Sequence, residues 1–224
     1  MAEFPSAPVP PATFFEEWLP QAFAAADLPE EARRVETRLG VLLEGDGGGE
    51  WVFEVKAGEM AVEQASRDET AFTVVQSVAD WRGCLWEGRG GAIGSQAATL
   101  FRPGSATAAP PPGQMGQMGG PPNPAALEQL QKLDGVIRMV VTGGEGGDWA
   151  VAFKLGPGAI PAEPTATLTL TAEDAAAMQK GELDPMAAFM SGRIQVAGDM
   201  TIVMQMQAIQ MQAAAQAASG GDGA

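Results

Sequence analysis

Few side chains in this sequence are placed to do chemistry. Glu173-Asp174 and Glu182 with Asp184 bring two carboxylates close together, the arrangement that general acid–base catalysis uses. Each pair falls at a helix start or in a loop, where capping the backbone or facing water accounts for a carboxylate. Glu16-Glu17 beside Trp18, and Glu30-Glu31, read as the solvated sides of amphipathic helices, and Arg33, Arg34 and Arg38 among Glu30, Glu31 and Glu36 read as salt-bridged helix surface. Asp46-Gly47-Gly48-Gly49 has the glycines of a phosphate loop. No Lys-Ser/Thr follows it, however, and it joins two strands, so a hairpin turn is the reading. With no histidine, no tyrosine and the single Cys84, the chain has no material for Ser-His or Cys-His catalysis or for His/Cys zinc sites. Cys84, between Gly83 and Leu85-Trp86, reads as a buried thiol. No catalytic residue, cofactor or metal is expected.

The bulk properties narrow the partners. Thirteen basic residues against 28 acidic ones give a net charge of −15, which repels nucleic acid and anionic bilayers. Neither is expected as a partner. Apolar residues make up 46% of the chain, yet their runs are interrupted too often for a membrane span, so no stable membrane insertion is expected. Residues 1–12 carry four prolines and an early Glu3 and do not resemble a secretory signal. A cytoplasmic location follows as the default.

Prolines and glycines punctuate the chain into a disordered N-terminus (1–12), a folded segment (13–104), a Pro/Gly-rich linker (105–123), a second folded segment (124–218) and a loose tail (219–224). The folded segments look like copies. A shift of 98 places Gly45, Gly48, Gly49, Trp51, Lys56 and Gly58 on Gly143, Gly146, Gly147, Trp149, Lys154 and Gly156. Each stretch predicts a strand, a Gly-rich turn and a returning strand that opens on a tryptophan anchored in the core. A shift of 94 then sets Ser77-Val78-Ala79-Asp80 on Thr171-Ala172-Glu173-Asp174, both with the hydroxyl-to-carboxylate spacing of a capped helix start.

The second segment predicts a helix from Ala125 to Leu133, strands at 136–141 and 149–155, and an alternating strand Thr165 to Thr171 with Ala166, Leu168 and Leu170 on one side. Capped helices begin after Thr171 and at Asp184-Pro185, a short strand covers 193–196, and Asp199 caps a final helix reaching about Ala218. No charge occurs between Met200 and Ala218. Met200, Ile202, Val203, Met204, Met206, Ile209 and Met211 take more than half of the helix circumference, which predicts cover on more than one side. Eight of the twelve methionines lie between Met139 and Met211. Three readings fit this bias: an ordinary core, an adaptable apolar ligand cavity, or packing against the first segment or another chain.

The second segment resembles the sterol carrier protein domain, also called the nonspecific lipid-transfer family. The residues that carry the resemblance are Gly147 to Lys154, the threonine-alternating strand into Thr171-Ala172-Glu173-Asp174, and above all the run Gly181-Glu182-Leu183-Asp184-Pro185 through Ala188-Phe189, Gly192 and Gly198-Asp199. The first segment matches only through its hairpin and capped helix. The resemblance implies an α+β fold of tandem sterol-carrier-like domains, each a mostly antiparallel sheet with helices on one face. It implies non-enzymatic binding or transfer of a fatty acid, acyl-CoA or sterol-like lipid in a tunnel lined by Met178, Leu183, Met186, Phe189, Met190, Ile194, Met200, Val203, Met204 and Met206. The first segment, lacking the final helix, would be a degenerate copy paired with the second as an intramolecular pseudo-dimer; a homodimer is the other arrangement. The alternative function is a structural or interaction module with a filled core, docking to a partner protein.

Overall fold

The structure is a computed structural model that describes residues 3–26, 30–34, 36–63, 66–99, 101, 129, 132–206, 208, 209 and 212. The expected linker, most of the 125–133 helix and the tail lie outside the described residues. The strands are β1 (Thr37–Glu44), β2 (Gly49–Lys56), β3 (Glu59–Glu63), β4 (Phe72–Ser77), β5 (Gly135–Thr142), β6 (Trp149–Leu155), β7 (Ala166–Thr171) and β8 (Gln195–Gly198). Alternation of apolar residues gives β5 and β7 a buried side, whereas β3 and β8, at the two edges, carry no fully buried residue.

In place of two separate sheets the eight strands form one, in the order β3-β2-β1-β4-β6-β5-β7-β8. The joint is the antiparallel pairing of β4 with β6, from Phe72 opposite Leu155 to Val75 opposite Ala152. Each half contributes a strand whose backbone edge would otherwise be bare, and pairing the two edges satisfies both. The result is a mixed α+β fold in which β1 with β4 and β5 with β7 run parallel and the other pairs run antiparallel.

Positions superposed by the two sequence shifts occupy matching places in the parallel pairs. Leu39 lies opposite Phe72, as Ile137 lies opposite Ala166, and Glu44 opposite Ser77, as Thr142 opposite Thr171. The hairpins differ: Val41 faces Trp51, whereas Met139 faces Val151. A displacement of two residues leaves the same side chains on the buried face, which a displacement of one would not.

Helices cover one face of this sheet. Thr171 Oγ1 accepts from the Asp174 N–H at 3.0 Å, Ser77 Oγ accepts from the Asp80 N–H at 2.9 Å, and Asp184 Oδ1 accepts from the Ala187 N–H at 2.8 Å, so the three expected caps start the helices Ala172–Gln179, Val78–Arg82 and Pro185–Met190. Two π-helical turns, Thr13–Trp18 and Gly83–Glu87, pack Phe14, Phe15, Cys84 and Leu85 against Val41, Leu43, Trp51 and Phe53. Trp51 and Trp149 are both buried and both donate their indole N–H, to Glu16 Oε1 at 2.9 Å and to the Asp80 carbonyl at 3.0 Å. Loops cross the opposite face. There Arg38, which belongs to β1 and not to a helix surface, pairs with Glu63 and Glu69.

Candidate functional site

On the helix-covered face the apolar residues divide into two clusters. The larger spans both halves, from Phe14 and Phe15 to Leu170, Ala175 and Met178. The smaller belongs to the second half. Ile137, Leu155, Ala166 and Leu168 make its floor, and Ile202, Val203, Met206 and Ile209 of the helical stretch beginning at residue 200 make its roof. The i, i+1, i+4, i+7 spacing puts those four on one side of the helix. Phe72 and Phe153, stacked at 5.5 Å and an interplanar angle of 21°, are half-buried and touch both clusters. They mark the boundary where the two apolar layers meet, beside the β4–β6 joint.

The start of the helical roof is anchored at a defined point. The backbone N–H of Asp199 donates to the Thr165 carbonyl at 2.8 Å, while its carboxylate accepts from the Thr201 N–H at 2.8 Å. That backbone donor, with the Thr201 hydroxyl, holds the Asp199 carboxyl below the ordinary aspartate value. Gly198, at φ +90°, turns the chain out of β8; a Cβ there would strike the Thr165 carbonyl oxygen.

The ten residues named from the sequence do not all converge. Met178 is buried in the larger cluster, with Leu183 and Ile194 packed against it, and Val203 and Met206 are buried in the smaller one. Phe189 is half-buried. Met186, Met190, Met200 and Met204 are exposed, Met190 to 77% and Met204 to 64%. The final helix is thus covered along one side among the described residues, not on several. The sheet floor is not among those ten residues, although the alternation through Ala166, Leu168 and Leu170 signals it. A separate open cleft of about 240 Å³ lies on the other face, lined by Val75, Gln76, Val136, Arg138, Ala150 and Ile160 among others. Among the described residues no group of three or more His, Cys, Asp or Glu side chains is placed to hold a metal, and no helix is long and apolar enough to cross a membrane.

The second half thus sets a mixed sheet with capped helices on one face beneath a helical stretch without charged residues. Residues 117–211 match the SCP-2 sterol transfer family. Sterol carrier protein 2 of Rattus norvegicus is 30% identical over 92 residues, covering 38% of this chain and 17% of the relative. Hydroxysteroid dehydrogenase-like protein 2 of Xenopus tropicalis is 28% identical over 87 residues, covering 37% and 21%. The chain therefore matches less than a quarter of the length of these relatives. Among solved structures, the sterol carrier protein domain 2 of Helicoverpa armigera aligns at 26% identity over 39% of this chain and 74% of its own, with a TM-score of 0.30. Sterol carrier protein 2 from Yarrowia lipolytica aligns at 20% identity over 40% and 73%, with a TM-score of 0.29.

Proposed function

We propose that this chain binds or transfers an apolar lipid, a fatty acid, acyl-CoA or sterol-like molecule, without catalysing a reaction on it. The ligand lies between the sheet floor of Ile137, Leu155 and Leu168 and the helical roof of Val203 and Met206. The observation that carries this reading is the separate apolar layer under an uncharged, Met-bearing helix within the stretch that matches the sterol transfer family. Such a layer offers dispersion contacts without directional demands, and methionine adapts to a ligand of irregular shape. Met178, Leu183, Phe189 and Ile194 extend the lining toward the larger cluster. Met186, Met190, Met200 and Met204 form apolar surface at which a ligand is received.

The first half is read as a degenerate copy of the same domain. Its support is the shared register of the parallel strand pairs. Phe14 and Phe15 fill its helix-covered face, so it lends a sheet and not a second cavity, which makes the chain a pseudo-dimer.

Titration of the delipidated protein with a fluorescent fatty acid tests the reading. Saturable binding that falls at least tenfold in Met206→Trp, with unchanged circular dichroism, is the expected result. No saturable binding, together with no lipid extractable from the purified protein, would overturn it and favour the interaction module.

A further inference from the structure

The strongest unassigned arrangement lies in the first half, away from the lipid layer. Glu3, Phe4 and Pro5 run as a strap, outside any helix or strand, across two tryptophans. Trp18 donates its indole N–H to the Glu3 carbonyl at 2.9 Å, and Trp86 donates to the Pro5 carbonyl at 2.7 Å. Between these carbonyls the ring of Phe4 enters an aromatic box, 5.2 Å from Trp18, 5.6 Å from Trp86 and 6.2 Å from Phe14. Ser6, Ala7 and Pro8 are exposed, and Val9 returns to the core.

This is how extended proline-rich peptides are read. Such a segment makes no hydrogen bonds within itself, so its carbonyls are free to accept, and proline holds the preceding residue extended. Paired aromatic residues with outward N–H donors match that shape and chemistry. The other tryptophans of the first half are differently used: Trp51, its ring buried, donates to the Glu16 carboxylate, and Trp81 is fully buried. Trp18 and Trp86 each lie in a π-helical turn, a geometry concentrated at functional sites.

We propose that Trp18, Trp86 and Phe14 form a docking site for an extended Phe-Pro peptide of a partner protein, occupied in this chain by its own residues 3–5. The strap is a resident competitor. The Phe4 ring is half-buried and neither indole hydrogen bond is fully buried, so a local opening frees the groove while the sheet stays intact. Its attachment to the same chain keeps its effective concentration high, so a partner must carry the same motif and bind in excess.

The test uses the full chain with Phe4→Ala, which empties the box, and a synthetic peptide spanning residues 2–11. Indole N–H signals are followed by NMR. The peptide should shift the Trp18 and Trp86 signals saturably and leave Trp149 unmoved, and the same peptide with Ala for Phe should bind at least tenfold more weakly. Wild-type chain should require at least tenfold more peptide than the Phe4→Ala chain. Equal response to both peptides, or no shift at Trp18 and Trp86 while Trp149 keeps its native position, overturns the proposal. Should Phe4→Ala fail to fold, a fluorine-labelled peptide in excess over the wild-type chain serves instead. A bound signal competed away by unlabelled peptide supports the site, and its absence overturns it. Lipid binding does not enter either readout.

Discussion

The Nζ of Lys154 lies 2.9 Å from the Asp134 carboxylate, and Lys56 stands at 3.6 Å from Glu36 in the place that a shift of 98 residues assigns to the same pair. The two pairs differ in burial. Lys154 is 1% exposed and also donates to the carbonyls of Leu155, Gly156 and Pro157, whereas the Lys56 side chain is 58% exposed. Lys154→Met strands three inward carbonyls and should cost about 3 kcal/mol. Lys56→Met, at a surface pair, should cost less than about 1 kcal/mol. Urea denaturation of the two variants measures the contrast; equal midpoints would contradict it.

The halves share one sheet and one core, so they should unfold together. Gly90, at φ +77°, brings the first half against Trp149, and a Cβ there would lie 2.6 Å from the indole. Gly90→Ala adds both a strained backbone and a clash, at a cost of about 2 kcal/mol. Calorimetry should show a single transition, in wild type and variant alike, with the variant melting lower. A variant trace that separates into two transitions would show that the β4–β6 joint does not couple the halves.

Acid should loosen the helical roof first. The folded-state pKa of Asp199 is depressed, so its contribution is present above the unfolded value and is lost as pH falls through the folded one. Its cap at Thr201 weakens on protonation. Fatty-acid affinity should therefore drop in the acid range more steeply in wild type than in Asp199→Asn, whose amide oxygen caps without titrating. Parallel pH profiles would rule out this role.

The exposed methionines should matter to capture and not to folding. Met186→Gln with Met204→Gln should change stability by less than about 0.5 kcal/mol. Stopped-flow uptake of a fluorescent fatty acid should slow in the double variant; an unchanged association rate would remove these residues from the entry surface.

Local signals in the sequence carried the hairpins, the three caps and the alternating β7, because each depends on residues a few positions apart. The joining of the sheets was not legible. Any two bare edges can pair, and nothing in Phe72–Val75 or Ala152–Leu155 names the other. β3 carries no signal in the sequence because its residues, Glu59 to Glu63, are mostly exposed and polar at both ends; a tight turn at Ala57-Gly58, both at positive φ, creates it. Trp18 read as part of a solvated helix side, since its partners Glu3 and Phe4 approach through a strap with no periodic pattern. In the final helix the mixed Met and Ile content predicts cover on more than one side. The i, i+4, i+7 subset Ile202, Met206 and Ile209 is buried, while Met200 and Met204 face outward, where a flexible thioether is tolerated.

The central claim is that an apolar ligand sits beneath the helix that begins at residue 200. NMR of the full chain with isotope-labelled methionine methyl groups, titrated with palmitate, tests it most directly. The account predicts saturable shifts of the Met206 methyl near one equivalent of ligand, with Met178 following and Met60 of β3 unmoved. Shifts confined to Met186, Met190, Met200 and Met204, growing without saturation, would mean adsorption to the surface and would contradict it.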